Sequence, residues 1–410
     1  MKYISKVNPS SRITAKYSFI HGSYWMAFGA TYNFVTVYLL AKNYSSSAIG
    51  IIMAITNILS AILQPVVASY ADQEKKYTLK SLMMIFLSLS TSFSILLYFT
   101  KASNSINAFV YFLLLLSMLT VHPLLNGLGM KYIEKGYGIN FGFSRSMGSL
   151  TYAVMSVVLG NLVDKNGPEL LPLYYFVLFF ITTAATVLFL RSFPYPNDET
   201  AEEPKNQRVK QSLSLLEFTK MYSGFTLYLV GVIFIFICFN IINIYMIRII
   251  ESVGGSEKNM GTAFAIAAIV ELPFMLTFSS LLRKFKIETL LIVSAWAFTA
   301  KVLLTFFAES LLVIYIAQGF QMFSYALFIP GSIYYVTTSL HKSHMLKGQA
   351  YTTSATTVGA VLGSLIGGYL LSFTTIRTML AVGFIVSIIG TLLMILGIRK
   401  ATLCSQEKLM

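Results

Sequence analysis

Twelve apolar stretches, each long enough to cross a lipid bilayer, run through this chain of 410 residues. The hydrocarbon core of a bilayer is about 30 Å thick and an α-helix rises about 1.5 Å per residue, so one span needs about 20 apolar residues. Backbone polar groups find no partners in lipid, which makes each span helical. The stretches lie near residues 17–42, 47–71, 80–100, 106–130, 144–163, 170–190, 222–250, 259–282, 288–308, 310–338, 348–373 and 378–398. The sequence therefore predicts an all-α membrane protein with twelve transmembrane helices.

The composition supports this fold class and argues against nucleic acid as a partner. Hydrophobic residues make up 56% of the chain and charged residues only 11%, whereas a soluble domain has about 25% charged residues. The net charge of +14 does not require a nucleic acid, because the basic residues concentrate in alternate loops, where they face anionic lipid head groups. We expect a multi-pass plasma-membrane protein that contacts lipids and binds no nucleic acid.

The distribution of Lys and Arg predicts the orientation of the chain. Short loops rich in these residues stay in the cytoplasm. If the N-terminus is cytoplasmic, the cytoplasmic segments hold most of the basic residues outside the mid-chain segment: Lys2, Lys6, Arg12, Lys16, Lys75, Lys76, Lys80, Lys131, Lys135, Arg145, Arg283, Lys284, Lys286, Lys342, Lys347, Arg399, Lys400 and Lys408. The opposite loops hold Lys42, Lys101, Lys165, Lys258 and Arg377. Both termini are therefore predicted to be cytoplasmic.

A polar, proline-bearing segment interrupts the apolar pattern in the middle of the chain. It mixes acidic and basic residues and has no helical periodicity over most of its length, which is typical of a linker. Six spans precede it and six follow it. The sequence therefore predicts an N-terminal six-helix bundle at residues 1–190, a cytoplasmic linker at 191–220, and a C-terminal six-helix bundle with a short cytoplasmic tail at 221–410.

The arrangement of six spans, a linker and six spans resembles the major facilitator superfamily over the whole chain. The loop after the second span keeps part of that superfamily's signature, with Ala68 in place of a glycine and an acidic residue and a basic pair in Asp72-Gln73-Glu74-Lys75-Lys76. A sharper match is Tyr132-Ile133-Glu134-Lys135, then Asn140-Phe141-Gly142-Phe143-Ser144-Arg145-Ser146-Met147-Gly148 and Tyr152. It resembles the passage from the fourth to the fifth helix in the lactose permease-like branch of sugar:proton symporters.

This resemblance implies roles for four residues. Arg145 stands where the family has an arginine that holds sugar hydroxyls, and Tyr152 where an aromatic ring stacks against the sugar. Glu271 in the eighth span stands at the position of an acidic sugar ligand, and Lys301 in the ninth at the position of a functional arginine. We therefore expect solute contacts from Arg145, Tyr152 and Glu271.

The chain also departs from the family pattern at several positions. Met130 replaces the glutamate that pairs with the arginine of the fifth helix. In the tenth span, Gln321 and Ser324 replace a histidine and the proton-carrying glutamate. Other replacements remove charges that pair across the seventh and eleventh helices: Ile237, Asn240 and Thr356. The departures indicate a solute other than lactose and a different route for protons.

The ionisable residues that lie deep in the predicted spans include Arg145, Glu271 and Lys301, which supports these candidates independently of the resemblance. An ionised group in hydrocarbon is costly, so it persists when it is paired, solvated in a cavity or functional. The alternatives are a structural ion pair between Glu271 and Lys301, and an Arg145 that only reaches the membrane surface. The residues predicted to contact solute are Arg145, Tyr152, Glu271, Tyr32 and Gln321, and the residues predicted to couple transport to protons are Glu271 and Lys301.

These features predict a secondary transporter that works by alternating access, with proton-coupled uptake of a sugar or a similar small polar solute. Export of amphipathic compounds, or transport of nucleosides or aromatic acids, is the alternative within the same superfamily. A receptor and a membrane enzyme are alternatives from other classes, but the sequence contains no His-Glu-x-x-His zinc motif. We expect no enzymatic activity, no cofactor and no metal, and a functional monomer.

Overall fold

The computed structural model describes residues 11–73, 78–100, 105–195 and 215–407. These residues form helices and no strand. The predicted linker falls largely on residues 196–214, which lie outside the described residues, as do residues 74–77 of the loop after the second span. The domain boundaries at 1–190, 191–220 and 221–410 therefore stay a prediction.

Six long helices form the first half of the chain. They are α1 (Ser11–Asn33), α2 (Ser46–Gln73), α3 (Leu79–Phe99), α4 (Ser105–Glu134), α5 (Phe141–Asn166) and α6 (Leu171–Ser192). The short helix Val35–Ala41 continues α1 beyond a break at Phe34. We call these six helices the N-half.

Six further helices form the second half, which we call the C-half. They are α7 (Ser223–Ile244, continued by Met246–Ser252), α8 (Glu257–Lys284), α9 (Ile287–Phe306), α10 (Leu311–Gly319 and Tyr325–Ser339, joined by the 3-10 turn Phe320–Met322), α11 (Met345–Phe373) and α12 (Ile376–Glu407). A short helix, Leu215–Met221, precedes α7.

Eleven of the described helices, α2 to α12, are long and apolar enough to cross a membrane. α1 has 23 residues and, with its continuation, completes the predicted twelve. It is less apolar because buried polar residues such as Ser18, His21 and Ser23 lie along it. These side chains find partners inside the protein; the Ser18 hydroxyl donates to the Thr14 carbonyl at 2.7 Å. The prediction of an all-α membrane protein with two six-helix bundles is confirmed.

The two halves meet along two pairs of helices, α5 with α8 and α2 with α11. A Cβ atom at Gly261 of α8 would overlap the carbonyl oxygen of Ser156, and one at Gly50 of α2 would overlap that of Ser364. Backbone therefore approaches backbone at both contacts. Both lie near the starts of α2 and α8, on the side of the protein opposite Ser11, where α1 begins, and Glu407, where α12 ends. We call this the side opposite the termini. The structure is closed on that side.

Tyr245 adds hydrogen bonds to this closed side. It occupies the break in α7, with φ −102° and ψ 22°, and is fully buried. Its hydroxyl lies 2.8 Å from the Ser364 carbonyl in its own half and 3.3 Å from the Ser46 carbonyl in the N-half. The break also leaves the Ile244 carbonyl free to accept from the Thr36 hydroxyl of the N-half. Opening this side would break the contacts with Ser46 and Thr36 and keep the bond to Ser364.

The variant Tyr245→Phe is expected to favour the conformation that is open on the side opposite the termini. The contact with Ser46 is the longer of the two that share the hydroxyl hydrogen, so its loss is worth at most about 1 kcal/mol and shifts a two-state equilibrium by up to about fivefold. Distances between spin labels at Ser45 and Thr374, both exposed on that side, measure the shift. Tyr228→Phe is the matched control, because the Tyr228 hydroxyl is buried and has no hydrogen-bond partner among the described residues. Equal distance distributions in the two variants would contradict the role of Tyr245.

Candidate solute-binding cavity

A cavity of about 300 Å³ lies between the N-half and the C-half. Its volume is at the lower end of the range of about 300 to 1,000 Å³ that is usual for ligand pockets. The lining residues are Trp25, Phe28, Tyr32, Asn33, Leu119, Arg145, Ser149 and Tyr152 from the N-half, and Phe239, Asn240, Asn243, Phe264, Ala267, Ala268, Glu271, Gln321 and Tyr325 from the C-half. The structure thus brings all five residues predicted to contact solute to one cavity.

Arg145 forms the charged part of the N-half wall. It lies in the first turns of α5, and its Cζ atom is 4.3 Å from the centroid of the Trp25 ring. Its Nη1 atom donates to the Ser149 hydroxyl at 3.2 Å. Gly148 makes room for this arrangement, because a Cβ atom there would lie 2.5 Å from Cδ1 of Trp25. Arg145 therefore lies against an aromatic face at the cavity, and the described residues include no carboxylate in an ion pair with it.

Tyr152 lies in the same wall, two turns further along α5. Its ring packs over Gly29 of α1, where a Cβ atom would lie 2.8 Å from Cδ2 of the ring. Its hydroxyl oxygen accepts a hydrogen bond from Asn33 Nδ2 at 2.6 Å. The same ring also contacts an alanine cluster formed by α5 and α8. Since the oxygen is the acceptor in the bond from Asn33, the hydroxyl hydrogen remains free to donate.

Two stacked pairs of aromatic rings line the cavity, one from each half. Phe28 and Tyr32 stack with ring centroids 5.3 Å apart and an interplanar angle of 10°. Phe239 and Tyr325 stack at 5.2 Å and 9°. Flat aromatic faces offer apolar contact area to a ring-shaped solute while the edges of the cavity remain polar.

Glu271 and Lys301 are joined through Gln321. The Lys301 Nζ atom donates to Gln321 Oε1 at 2.6 Å, and Gln321 Nε2 donates to Glu271 Oε1 at 2.8 Å. The amide orientation follows from chemistry, because only its oxygen can accept from an ammonium group and only its NH2 group can donate to a carboxylate. The alternative of a direct ion pair between Glu271 and Lys301 is therefore wrong; an amide stands between the two charges.

Breaks in the C-half helices position the side chains of Lys301, Gln321 and Glu271. Gln321 lies in the 3-10 turn of α10, which directs its side chain across to both α8 and α9. Pro273 lies inside α8, two residues after Glu271, and a proline at that position removes a backbone hydrogen bond of the helix. Lys301 is only 2% exposed and does not line the cavity. It reaches the cavity through two lining residues: its Nζ atom donates to Gln321 and lies 5.6 Å from the centroid of the Phe239 ring.

Other aromatic and histidine side chains of the first span lie away from the cavity. Tyr24, Phe34 and Tyr38 are buried in the core and do not line the cavity beside Tyr32. His21 is fully buried and its Nε2 lies 3.2 Å from the Tyr17 hydroxyl. Among the described residues, no group of three His, Cys, Asp or Glu side chains is placed to hold a metal ion.

Other residues that line the cavity were not predicted from the sequence, among them Phe28, Ser149, Phe239, Asn243 and Tyr325. Spacings of three and four residues from Trp25 to Phe28 and Tyr32 mark one face of α1. That spacing is a usable signal once the position of Trp25 at the cavity is known. No comparable signal marks Tyr325, because it follows the break in α10.

Comparisons with known proteins agree with this architecture. The model of a family described as the MFS_1 like family matches residues 15–395. A maltose permease of Geobacillus stearothermophilus is 27% identical over 390 residues, covering 94% of this chain and 94% of that protein. The uncharacterized transporter YwbF of Bacillus subtilis (strain 168) is 24% identical over 402 residues, covering 92% of each chain.

Solved structures show the same fold at low sequence identity. The nucleoside transporter NupG superimposes with a TM-score of 0.78 and 14% identity, over 93% of this chain and 98% of that chain. A peptide transporter POT superimposes with a TM-score of 0.69 and 12% identity, over 96% of this chain and 94% of that chain. At these identities the likeness shows the fold alone.

The variant Lys301→Met is expected to destabilise the protein by about 1 to 3 kcal/mol, because it leaves the buried Gln321 oxygen without a donor. Thermal unfolding of the purified protein in detergent measures the loss. Lys258→Met is the control, since Lys258 is exposed at the start of α8 and its replacement is expected to leave the unfolding temperature nearly unchanged. An unfolding temperature for Lys301→Met as high as that for Lys258→Met would contradict a stabilising role for the Lys301 bond.

Proposed function

Because the chain belongs to the MFS_1-like family of the major facilitator superfamily, we propose that it is a proton-coupled transporter of a sugar or a similar small polar solute. The observation that carries this proposal is the cavity between the halves, with Arg145 on one wall and Glu271 on the other. The similarity to a maltose permease over 94% of both chains supports a sugar. Maltose is therefore the first solute to test.

Alternating access is the proposed mode of transport. The two contacts between the halves lie on the side opposite the termini. If the protein lies in the plasma membrane with both termini in the cytoplasm, the closed side faces outward. The cavity would then face the cytoplasm. Rocking of the two halves about the solute would open the other side and close this one. The whole cavity lies within one chain, which supports a functional monomer in contact with membrane lipids.

A sugar fits the chemistry of the cavity walls. The guanidinium group of Arg145 presents several N–H donors in one plane, which suits neighbouring hydroxyl groups. The stacked pairs Phe28–Tyr32 and Phe239–Tyr325 suit the apolar faces of sugar rings. Glu271 Oε2 accepts from no described residue and would receive a hydroxyl hydrogen. Nucleosides, aromatic acids and amphipathic export substrates are the alternatives that the same uptake assays would reveal.

Coupling to protons is proposed at Glu271. Burial disfavours its charged form, whereas the Gln321 N–H donor and the Lys301 charge behind it favour the charged form. These opposing effects make its charge sensitive to a change in hydration or in the Gln321 contact. An amide neither takes up nor releases a proton near neutral pH, so Gln321 would hold Lys301 near Glu271 without carrying a proton itself. Glu271 is then the group that takes up the proton with the solute.

The variant Arg145→Lys is expected to abolish saturable maltose uptake, because a single ammonium group cannot reproduce the forked donors of arginine. Uptake of radiolabelled maltose by cells that lack their own maltose carrier measures the effect, with expression checked by immunoblot. Arg377→Lys is the matched control, since Arg377 lies over the Phe306 ring away from the cavity. Near-normal uptake by Arg145→Lys would return Arg145 to a role at the membrane surface.

The variant Glu271→Gln is expected to lose accumulation of maltose driven by an imposed pH gradient and to keep exchange of maltose between two loaded compartments. The amide keeps hydrogen-bonding capacity but cannot carry the proton. Proteoliposomes with and without a pH gradient measure the two activities. Glu169→Gln is the control, because Glu169 pairs with Lys42 at an exposed site. Proton-driven accumulation by Glu271→Gln would place coupling elsewhere.

A further inference from the structure

Two asparagines of α7 line the cavity with their acceptor atoms free. Asn240 Nδ2 donates to the Phe236 carbonyl at 2.8 Å, and Asn243 Nδ2 donates to the Phe239 carbonyl at 2.9 Å. Each bond joins a side chain to the backbone four residues earlier. Only the NH2 group of an amide can make such a bond, so the orientation of each side chain is fixed. No described residue donates to either Oδ1 atom, and both residues line the cavity.

The opposite wall has the complementary hydrogen-bonding character. Arg145 has only donors, and just one of its nitrogen atoms, Nη1, has a described hydrogen-bond partner. The Tyr152 hydroxyl uses its oxygen to accept from Asn33, which leaves its hydrogen to donate. Arg145 and Tyr152 therefore offer donors from the N-half, whereas Asn240 and Asn243 offer acceptors from the C-half. A solute that bonds all four residues accepts from the first two and donates to the other two.

We propose that Asn240 and Asn243 are specificity-determining residues that accept hydrogen bonds from hydroxyl groups of the solute. The inference rests on the proposed function and narrows its substrate class to neutral polyhydroxyl compounds such as disaccharides. A carboxylate would pair with Arg145 but has no hydrogen to give to α7. Residues three apart on a helix have Cβ atoms about 5 to 6 Å apart, so the two acceptors serve two separate hydroxyl groups.

Selection by these residues follows from the cost of an unpaired polar group. A site that bonds a substrate hydroxyl rejects an analogue without that hydroxyl, because the site's own polar group loses its partner. The side-chain to backbone bond alone does not define such a site. Asn161 makes the same bond, from its Nδ2 to the Val157 carbonyl at 2.8 Å, at a half-buried position outside the cavity. Access of the free oxygen to the cavity is what distinguishes Asn240 and Asn243.

The experiment compares Asn240→Leu and Asn243→Leu with the control Asn161→Leu. Uptake is measured for maltose and for each of its monodeoxy analogues in proteoliposomes. Each cavity variant is expected to raise the KM for maltose roughly three- to tenfold, the worth of one hydrogen bond. The maximal rate should stay within about twofold. Each variant should have one monodeoxy analogue for which its KM equals the KM of the unmodified protein for the same analogue. That analogue lacks the hydroxyl group that the replaced asparagine would bind.

Two further measurements separate the outcomes. Asn240→Thr and Asn243→Thr can donate their hydroxyl hydrogen to the same backbone carbonyl and keep an oxygen that accepts. They should still discriminate against the same analogue, which keeps the proposal testable if a leucine variant does not fold. Unmodified protein that neither transports maltose nor is stabilised by it against heat would overturn the proposed sugar function and this inference with it. If the protein transports maltose but each variant changes the KM for every analogue by the same factor, or changes no KM, the inference alone would be overturned.

Discussion

The chain Lys301–Gln321–Glu271 is the interaction on which the account of this protein depends. Two ionisable groups lie inside the membrane-spanning part of the C-half, and hydrogen bonds of 2.6 and 2.8 Å join them through one amide. Charges in hydrocarbon persist only when they are paired, hydrated or used. Here one charge is buried and the other faces the cavity. In the proposed function, Glu271 contacts the solute and Lys301 acts on Glu271 through Gln321.

The cavity lies between Glu271 of the C-half and an N-half wall whose Arg145 has the opposite charge to Glu271. Arg145 stacks on Trp25 and faces the cavity without a described carboxylate partner. Backbone contacts at Gly50 and Gly261 hold the halves together beyond the cavity, on the side opposite the termini. A solute between Arg145 and Glu271 would therefore touch both moving parts. That placement is what links binding to the movement of the halves in our proposal.

The sequence predicted the helices and many of the residues at the cavity, because both follow from local rules. Apolar length predicts spans, and a buried charge such as Glu271 stands out against apolar neighbours. The Gln321 bridge was not predictable, because it depends on the break in α10 that turns this side chain toward both α8 and α9. The rotation of α1 is another long-range property; it decides that Trp25 and Phe28 face the cavity while Tyr24 is buried. Phe239 and Tyr325 come together only when α7 and α10 pack.

The central claim is that solute and proton cross together through the site between Arg145 and Glu271. The most direct test is the reversal potential of maltose flux in proteoliposomes, measured with opposing gradients of maltose and membrane voltage at fixed pH. The account predicts that about one proton moves with each maltose, so a defined voltage balances a given maltose gradient. A flux that reverses only when the maltose concentrations are equal, at every voltage, would contradict it.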